Sequence, residues 1–512
     1  MLGGAVLNSG TYGCILKPAI PCKGETSRKP DYVSKLMTLK DANNEYSEII
    51  AIKDKVKSIH DNNMYYIISD IRLCEIGNIT SHDLDNFYKN CGAMKRRKYK
   101  KEDILNSRVN NNLRLLQLPD GGKDVTYYFN NDIFSVDIFP KINTALIRLL
   151  KYGIAPLKDV GVLHQDIKGD NVVYSEEKNL ARLIDWGLAT VLKGSNVPNL
   201  VKYWPILFNQ PLTNSVLHTN VQELYKIILQ RTPQIQRIIN GYQGDNLIDD
   251  LTPVISHVLK NNYMSDYKTI DINISGLGHI KYIITILEEC GNFDATFNVS
   301  TKKTAFDAFA HLLSLQITKA LLHFSIKDNK IHKFDESLYF NTVFKHNCDI
   351  FGFLACYVDI FMNKKAPVTL RGKIYQTVLK PFYFNDKYAY TPYDVDEISK
   401  ACLELNSDYE KKVPEPNQNS GSVKRKQLMI ISDSNRDNDP FILTLKKRCP
   451  KGSQRDKKTK KCVKKITKDI KPKPNPGISW PLTQRCQKGS RRDKKTKKCV
   501  KKSNDHNMDY HL

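Results

Sequence analysis

Two short polar blocks in the middle of the chain constrain its fold and chemistry more than any other feature. Residues 164–171 read His-Gln-Asp-Ile-Lys-Gly-Asp-Asn, and Asp-Trp-Gly follows at 185–187 after thirteen intervening residues. An apolar segment precedes each block, which predicts a buried strand that ends in a loop. This order suits phosphoryl transfer, because Asp166 can accept a proton while Asn171 and Asp185 hold magnesium.

A glycine-rich stretch near the start of the chain is a candidate phosphate-binding loop. Residues 7–15 read Leu-Asn-Ser-Gly-Thr-Tyr-Gly-Cys-Ile. Gly10 and Gly13 would let backbone N–H groups approach a phosphate because no Cβ stands in the way. Such a pair more often marks an ordinary turn when it stands alone. Here a strand-like segment at 32–37 follows and contains Lys35, which favours the phosphate-binding interpretation.

An amphipathic helix is predicted to follow that strand, starting near Asp41. Its apolar positions recur at steps of three and four residues, at Ile49, Ile52, Val56 and Ile59. Glu45 extends the same face one turn earlier and is the candidate ion-pair partner of Lys35. Glu48 is the alternative, and both carboxylates could instead be surface charges.

These blocks together resemble the protein-kinase signature, in which His-Arg-Asp-x-Lys-x-x-Asn precedes Asp-Phe-Gly. The chain resembles more closely the serine/threonine kinases of large nucleocytoplasmic DNA viruses, including the poxvirus-type virion kinases. That resemblance spans roughly residues 4–400 and is carried by 10–22, 117–124 and 208–212. It implies transfer of the γ-phosphate of ATP, with Mg²⁺, to serine or threonine hydroxyls of protein substrates during infection or virion assembly.

The resemblance also implies roles for individual residues. Asp166 would be the catalytic base, and Lys168 would neutralise charge on the moving phosphoryl group. Asn171 and Asp185 would bind the metal. The residues expected at the nucleotide are Leu7, Gly10, Gly13, Ile15, Lys35, Glu45 and Asp124.

The chain departs from the kinase pattern at several positions. Gln165 replaces the arginine that normally receives an activation-loop phosphate, so we expect activity that such phosphorylation does not switch. Trp186 replaces phenylalanine and enlarges an apolar contact without changing the metal ligand. No Ala-Pro-Glu follows within 192–212, which predicts a different mode of protein-substrate binding. Asn8 occupies the first glycine position, where it is tolerable because asparagine visits left-handed conformations readily.

The predicted fold class is α+β: a bilobal, protein-kinase-like fold with a small β-rich N-lobe containing one helix, a larger mainly helical C-lobe and a basic C-terminal tail. The predicted divisions are an N-lobe at 1–124, a C-lobe at 125–405, a flexible linker at 406–447 and a tail at 448–512. The Asp-Gly-Gly-Lys-Asp turn at 120–124 would connect the lobes and contact adenine, with its register open by one residue.

Several local elements are predicted inside these lobes. Strands are expected at 64–74 and 113–118, separated by a polar insertion at 80–112. Its basic run at 95–101 reads either as a solvated loop or as a contact for an acidic partner. Helical periodicity indicates buried helices from Thr304 to Phe324 and over 351–361. The scattered histidines His257, His279, His311 and His323 show no ligand spacing and are read as structural.

The net charge of +25 belongs mainly to the tail. Between residues 446 and 502, 24 Lys and Arg stand against three Asp, which makes +21 and leaves about +4 for the rest. We expect this segment to bind polyanions such as nucleic acid or acidic protein, with strong salt dependence. No run of 18 apolar residues and no signal-peptide core is present, which predicts a soluble intracellular protein without a transmembrane segment. The resemblance to viral kinases implies a location in the host cytoplasm or the virion.

The twelve cysteines form two populations. The eight up to Cys402 are isolated and read as reduced, buried thiols, although Cys14 in the glycine-rich stretch could be reactive. The tail contains a near-verbatim repeat with the pairs Cys449/Cys462 and Cys486/Cys499. A disulfide-clasped hairpin suits this spacing better than zinc, and free thiols stay open.

Two other functions remain open at this stage. One is a nucleotide-binding, pseudokinase-like scaffold that docks to polyanions through the basic tail. The other is a kinase fold that acts on a small molecule, which the unusual segment at 192–212 keeps open. Every group that phosphoryl transfer needs is present, and this favours the enzyme.

Overall fold

The computed structural model describes most of the first 409 residues and four short strands near the C-terminus. The described residues are 5–10, 12–106, 111–129, 134–194, 196–202, 206–231, 246–263, 277–294, 302–327, 330–331, 333–407, 409, 453–455, 462–464, 490–492 and 499–501. The chain divides into two compact units, 1–415 and 416–512.

An antiparallel sheet forms the N-terminal part of the first unit. Its described strands run in the order β1 (Ala5–Ser9), β2 (Gly13–Lys17), β3 (Tyr32–Thr38), β5 (Leu113–Pro119) and β4 (Arg72–Cys74). The central strand β3 is buried on both faces over its second half, because a helix covers one face and the inserted segment covers the other.

Helix α1 (Leu39–Val56) confirms the predicted amphipathic helix, which begins two residues earlier than expected. The Thr38 side chain accepts a hydrogen bond from the backbone N–H of Asp41 at 3.2 Å and so caps the first turn. The predicted apolar face is buried against the sheet, including Ile49 and Ile52. Glu45 lies on this same buried face.

The strand predicted at 64–74 is wrong over most of its length. A short helix, α2 (Asn62–Tyr65), opens the segment, and only β4 at its end pairs within the sheet. Tyr66, Ile67 and Ile68 are buried, and Tyr66 forms an isolated bridge with Leu183. The apolar run is therefore explained by burial of these side chains between the N-terminal sheet and the mainly helical part that follows, and not by strand pairing.

The insertion at 80–112 is not a simple polar loop. Its described part contains a 3₁₀ turn and three short helices: Ser81–Leu84, α3 (Phe87–Asn90), α4 (Gly92–Arg96) and α5 (Lys101–Leu105). Phe87, Met94 and Ile104 from these elements are buried in a second core beneath β1 and β2. The basic side chains Lys95 and Arg96 stay exposed on the outer side.

The remainder of the first unit is mainly helical, with small sheets at its start. The strands are β6 (Lys123–Asp124), β7 (Val162–Leu163), β8 (Val172–Ser175), β9 (Leu180–Leu183), β10 (Thr190–Val191), β11 (Ile326–Lys327) and β12 (Lys330–Ile331). The helices are α6 (Val125–Phe129), α7 (Phe139–Leu149), α8 (Asn199–Lys202), α9 (Thr219–Arg231), α10 (Asn246–Tyr263), α11 (Leu277–Cys290), α12 (Lys302–His323), α13 (Glu336–Tyr339), α14 (Lys345–Met362), α15 (Val368–Ile374) and α16 (Val395–Glu404). Shorter 3₁₀ and π-helical turns connect them at Leu150–Ile154, Leu157–Val160, Gly169–Asn171, Leu212–Leu217, Phe340–Phe344, Tyr375–Tyr383 and Asp386–Ala389.

Helices α12 and α14 confirm the two buried helices expected from periodicity. Helix α12 begins at Lys302, before the predicted cap at Thr304. Helix α14 is buried along almost its whole length, although two aspartates interrupt its apolar sequence. None of the helices in the described ranges has the length and apolar character that a membrane span requires. The mixed architecture, a sheet followed by a mainly helical part, agrees with the predicted class.

Two disulfides join the sheet to its surroundings, which corrects the expectation of reduced thiols. Cys14 bonds to Cys91 and Cys22 bonds to Cys74, with Cα–Cα distances of 5.3 and 5.7 Å. The four other cysteines of the first unit are free and buried, as predicted: Cys290, Cys348, Cys356 and Cys402. The Cys14–Cys91 disulfide could not be predicted from the sequence, because it depends on the packing of the inserted segment, which brings Cys91 beside β2.

The second unit contains two matching hairpins. Strand β13 (Ser453–Arg455) pairs antiparallel with β14 (Cys462–Lys464), and β15 (Ser490–Arg492) pairs with β16 (Cys499–Lys501). The two registers are equivalent when offset by the repeat. Each hairpin is consistent with the predicted fold of the repeats. Cys449 and Cys486 lie outside the described residues, so their disulfides stay a prediction.

Candidate active site

The lysine of strand β3 and the helix α1 carboxylate form a buried ion pair. Lys35 is 6% exposed, and its Nζ lies 2.7 and 2.8 Å from the two carboxylate oxygens of Glu45. It also lies 3.5 Å from Oδ1 of Asp185. Burial opposes the charged form of Lys35, but the carboxylates of Asp185 and Glu45 outweigh it and raise the lysine pKa. Glu48, the alternative partner, is exposed.

The glycine-rich turn lies between β1 and β2, beside this ion pair. The backbone N–H of Gly10 donates to the carbonyl of Gly13 at 3.0 Å and closes the turn. A Cβ on Gly13 would lie 2.6 Å from Cγ of Met37, so the close approach of β3 requires glycine there. A Cβ on Gly10 would meet no atom within 4 Å, which leaves open space beside the turn.

The residues that flank this turn lie on β1 and β2. Ile15 is directly opposite Lys35 in the register of β2 and β3, and Leu7 is exposed on β1. The Asn8 side chain accepts a hydrogen bond from the backbone N–H of Ser9 at 2.7 Å. Cys14 is fully buried and disulfide-bonded, so the suggestion of a reactive thiol at this position is wrong.

A buried carboxylate on α14 fixes the backbone of the loop that follows β7. The backbone N–H groups of His164 and Gln165 donate to the two carboxylate oxygens of Asp349, each at 2.8 Å. Gln165 has a φ of 65°, in the left-handed region. Burial raises the pKa of Asp349, although these backbone N–H groups oppose the shift. Asp349 therefore stabilises the backbone conformation of the loop that begins at His164.

Asp166 is surrounded by hydrogen-bond donors. Its carboxylate accepts from Nζ of Lys168 at 2.8 and 2.9 Å and from Nδ2 of Asn171 at 2.8 Å. Nδ2 of Asn209 donates to Oδ1 of Asp166, also at 2.8 Å. Three donors therefore fix the orientation of the carboxylate. The predicted residues Asp166, Lys168 and Asn171 are brought together here.

The hairpin of β8 and β9 brings Asn171 and Asp185 to the same end of a small sheet. Asn171 directly precedes β8, Asp185 is the second residue after β9, and Val172 is opposite Leu183 in the register. The backbone N–H of Ile184 donates to the carbonyl of Asn171 at 3.0 Å. Asp185 has a φ of 60°, a left-handed conformation that aspartate tolerates better than most residues.

The electrostatics around Asp185 favour its ionised form. Burial would raise the pKa of Asp185, but the charge of Lys35 and, to a smaller extent, those of His164 and Lys168 lower it. Asp185 therefore presents a carboxylate, and Asn171, whose amide nitrogen is used by Asp166, has its carbonyl oxygen left for a ligand.

These two oxygen donors fit a magnesium ion that also binds phosphate. Mg²⁺ usually takes one or two protein oxygens and completes its shell with water and substrate phosphates. Within the described part of the chain, no group of three or more His, Cys, Asp and Glu side chains could hold a metal alone. Asn171 and Asp185 would thus share the ion with a nucleotide.

Trp186 closes the apolar side of the site. Its side chain is 1% exposed, and its ring centroid lies 4.7 Å from that of His164. Tyr66 meets the indole edge-on at 5.5 Å. The larger ring is therefore accommodated by packing, without displacing Asp185.

Asp124 lies at the start of helix α6, after the turn that connects the sheet to the helical part. Its Oδ1 accepts a hydrogen bond from the backbone N–H of Tyr127 at 2.7 Å. Burial raises the pKa of Asp124. The carboxylate thus caps a helix, and the expected contact of Asp124 with the nucleotide stays a prediction.

Four site residues were missed by sequence reasoning. Asp349 and Asp359 interrupt the apolar sequence of helix α14, and a charge inside a buried helix is a signal of a specific partner. Thr126 donates to Asp359 at 2.6 Å, and a Cβ on Gly169 would collide with both side chains. Asn209 belongs to a segment that had been singled out only by resemblance.

His279 was read as structural, and the structure places it near the site. Its ring stacks on Phe208 with a centroid distance of 5.4 Å. Burial lowers the pKa of His279, and the charge of Lys168 adds to this effect while Asp166 opposes it. His279, on helix α11, therefore lies close enough to Lys168 and Asp166 for their charges to affect its pKa.

Comparison with solved structures gives a partial likeness to a viral kinase. No protein-family model matches the chain, and no curated protein matches it. Among solved structures the chain is similar to the kinase PK-1 of Cydia pomonella granulovirus, at 16% sequence identity and a TM-score of 0.23. The match covers 39% of this chain, which spans 60% of the length of that kinase. The function must be judged from the site.

Proposed function

We propose that this chain is a protein kinase with a bilobal fold, which transfers the γ-phosphate of Mg-ATP to serine or threonine hydroxyls of proteins. One observation carries the proposal. The Asp166 carboxylate is held by Lys168 and Asn171, while the neighbouring Asp185 lies within reach of the buried pair of Lys35 and Glu45. A base, phosphate-binding cations and metal-binding oxygens meet in one place, as phosphoryl transfer requires.

Each residue has a task in this mechanism. Asp166 orients the attacking hydroxyl and accepts its proton, and Lys168 neutralises charge on the transferred phosphoryl group. Lys35, held by Glu45, positions the nucleotide phosphates beneath the glycine turn. Asn171 and Asp185 would hold magnesium, which supplies charge neutralisation between the phosphates when it is bound.

The serine/threonine assignment and the viral role depend on the sequence resemblance. Lys168 stands two residues after Asp166, as in the serine/threonine subset. The structure supports one further element, activity without an activating phosphate. Nε2 of Gln165 donates to the carbonyl of Leu188 at 3.0 Å and to Oγ1 of Thr190 at 2.6 Å. Neutral hydrogen bonds therefore hold the segment that a phosphate would otherwise order.

The decisive experiment replaces Asp166 with asparagine. Asp166→Asn keeps the shape of the side chain but removes the base, so nucleotide binding should persist while turnover falls by roughly 10²–10⁴-fold. Asp159→Asn, at an exposed acid before β7, is the matched control and should retain turnover. Equal activity of Asp166→Asn and the wild type would refute the proposal. A wild type that binds ATP but transfers no phosphate would favour the scaffold.

We also propose that the basic tail binds polyanions, with the enzyme and docking functions combined in one chain. The charge of +21 between residues 446 and 502 supports this. Binding of the full chain to duplex DNA should weaken steeply and linearly in a plot of log affinity against log salt. Affinity that does not change with salt would contradict the proposal.

A further inference from the structure

The segment Phe-Asn-Gln-Pro-Leu at 208–212 is anchored directly to the catalytic loop. Phe208 stacks on His279, and its carbonyl accepts a hydrogen bond from the Tyr383 hydroxyl. Nε2 of Gln210 donates to the backbone carbonyl of Gln165 at 2.8 Å. The residue between these two anchors, Asn209, is thus held at a defined position.

Asn209 turns its side chain toward the candidate base. It is 1% exposed, and its Nδ2 donates to Oδ1 of Asp166 at 2.8 Å and to the carbonyl of Ile167 at 3.3 Å. Both amide protons are used within the catalytic loop. No substrate or nucleotide role competes for them.

The other two donors to Asp166 have competing roles during turnover. Lys168 is drawn toward the phosphoryl group in the proposed mechanism, and Asn171 shares its side chain with the metal. Each would loosen its hold on the carboxylate when Mg-ATP binds. Asn209 has no task at the phosphates or the metal in the proposed mechanism, so it would remain to fix Oδ1 of Asp166 at the moment of reaction.

The carbonyl oxygen of the Asn209 side chain indicates that fold stability alone does not explain an asparagine at this position. Its Oδ1 is buried and has no hydrogen-bond partner among the described residues. An unpaired buried acceptor destabilises a fold, whereas leucine of similar shape would avoid that cost. The amide is better explained by what its nitrogen does at Asp166.

We propose that Asn209 is a positioning residue, which holds the Asp166 carboxylate in its reacting orientation through a hydrogen bond to Oδ1. This inference depends on the proposed kinase function. Loss of this hydrogen bond should lower kcat and leave the KM for ATP largely unchanged, because Asn209 donates to Asp166 and Ile167 and not to the residues assigned to the nucleotide phosphates.

The test compares Asn209→Leu and Asn209→Asp with the wild type in a phosphoryl-transfer assay. We expect kcat of Asn209→Leu to fall by roughly 10²-fold, because a misplaced reacting group costs about that much, with the KM for ATP changed less than about twofold. Asn209→Asp, which keeps the shape but replaces the donor with a carboxylate, should lower kcat by a similar factor.

The control is Asn143→Leu, which removes an equally buried amide that bonds to the carbonyl of Cys402 at 2.8 Å. It should lose stability but keep the wild-type kcat per folded molecule and the wild-type KM for ATP. Folded Asn209→Leu with unchanged kcat would overturn the inference. If that variant does not fold, an unchanged kcat in Asn209→Asp overturns it. An inactive wild type would instead refute the kinase function, and the inference would fall with it.

Discussion

The disulfide between Cys14 and Cys91 should contribute strongly to the stability of the first unit. The perturbation is the double substitution Cys14→Ala and Cys91→Ala, compared with the same change at Cys22 and Cys74. All four sulfur atoms belong to the N-terminal sheet or to the segments packed on it. Each substitution pair removes one crosslink and no charge.

The sequence separations set the size of the effect. They are 77 residues for Cys14–Cys91 and 52 residues for Cys22–Cys74. In the chain-entropy model, closing loops of these lengths in the unfolded chain corresponds to about 4 kcal/mol at 25 °C for each crosslink. A unit of this size unfolds with an entropy of roughly 0.85 kcal/mol/K, so each loss should lower Tm by about 5 °C.

Thermal unfolding followed by circular dichroism, with and without a reducing phosphine, measures this effect. The wild type should lose about 10 °C on reduction, while a variant without either crosslink should not respond. Cys348→Ala, at a buried free thiol, reports the cost of the substitution itself. A wild type whose Tm is the same in oxidising and reducing buffer would refute the reasoning, because the crosslinks would then be absent or without effect on the unfolded chain.

Two further perturbations test the site and one tests its regulation. Lys35→Met and Glu45→Gln each leave a buried partner unpaired and should reduce kcat/KM for ATP by roughly 10²-fold. Glu48→Gln, at the exposed neighbour, is the control and should change kcat/KM by less than about twofold. Equal losses in all three variants would contradict the assigned pair. Burial, and then the charges of Asp170 and Asp124, raise the pKa of Asp359 from 3.8 to about 7. The folded chain therefore holds a proton that the unfolded chain releases, so this contribution to stability is complete below about pH 4 and is lost as the pH rises through about 7. Asp359→Asn should flatten the fall of Tm between about pH 4 and 7, and parallel curves for variant and wild type would argue against the shift. Because neutral hydrogen bonds of Gln165 hold the segment after β9, phosphatase treatment should leave turnover unchanged, and a large loss on treatment would show that a phosphate is required.

Patterns among near neighbours could be read from the sequence. The periodicity of apolar residues predicted α1, α12 and α14, because a helix repeats its buried face every three or four residues. The order of polar residues between 164 and 187 placed Asp166, Asn171 and Asp185 in adjacent loops. The predicted partner of Lys35, Glu45, followed from the face of α1 on which it lies.

Tertiary packing decided the features that join distant parts of the chain. Asp349 holds the catalytic loop across 184 and 185 residues, and Asn209 reaches Asp166 across 43. The apolar helix around Asp349 indicates a buried partner without identifying it, and nothing local distinguishes Asn209 from an ordinary asparagine. The inserted helices and the partner of Cys14 were likewise invisible, since burial alone does not tell a free thiol from a bonded one.

The amino-acid sequence by itself thus determined the order of the chemical groups, the helices with clear periodicity and the concentration of charge in the tail. Only the tertiary structure decided which groups hold Asp166 in place, how the insertion packs beneath β1 and β2, and which cysteines pair. The physical reason is that helical periodicity and loop motifs depend on residues a few positions apart. Buried hydrogen bonds and disulfides depend on where the folded chain brings distant residues together.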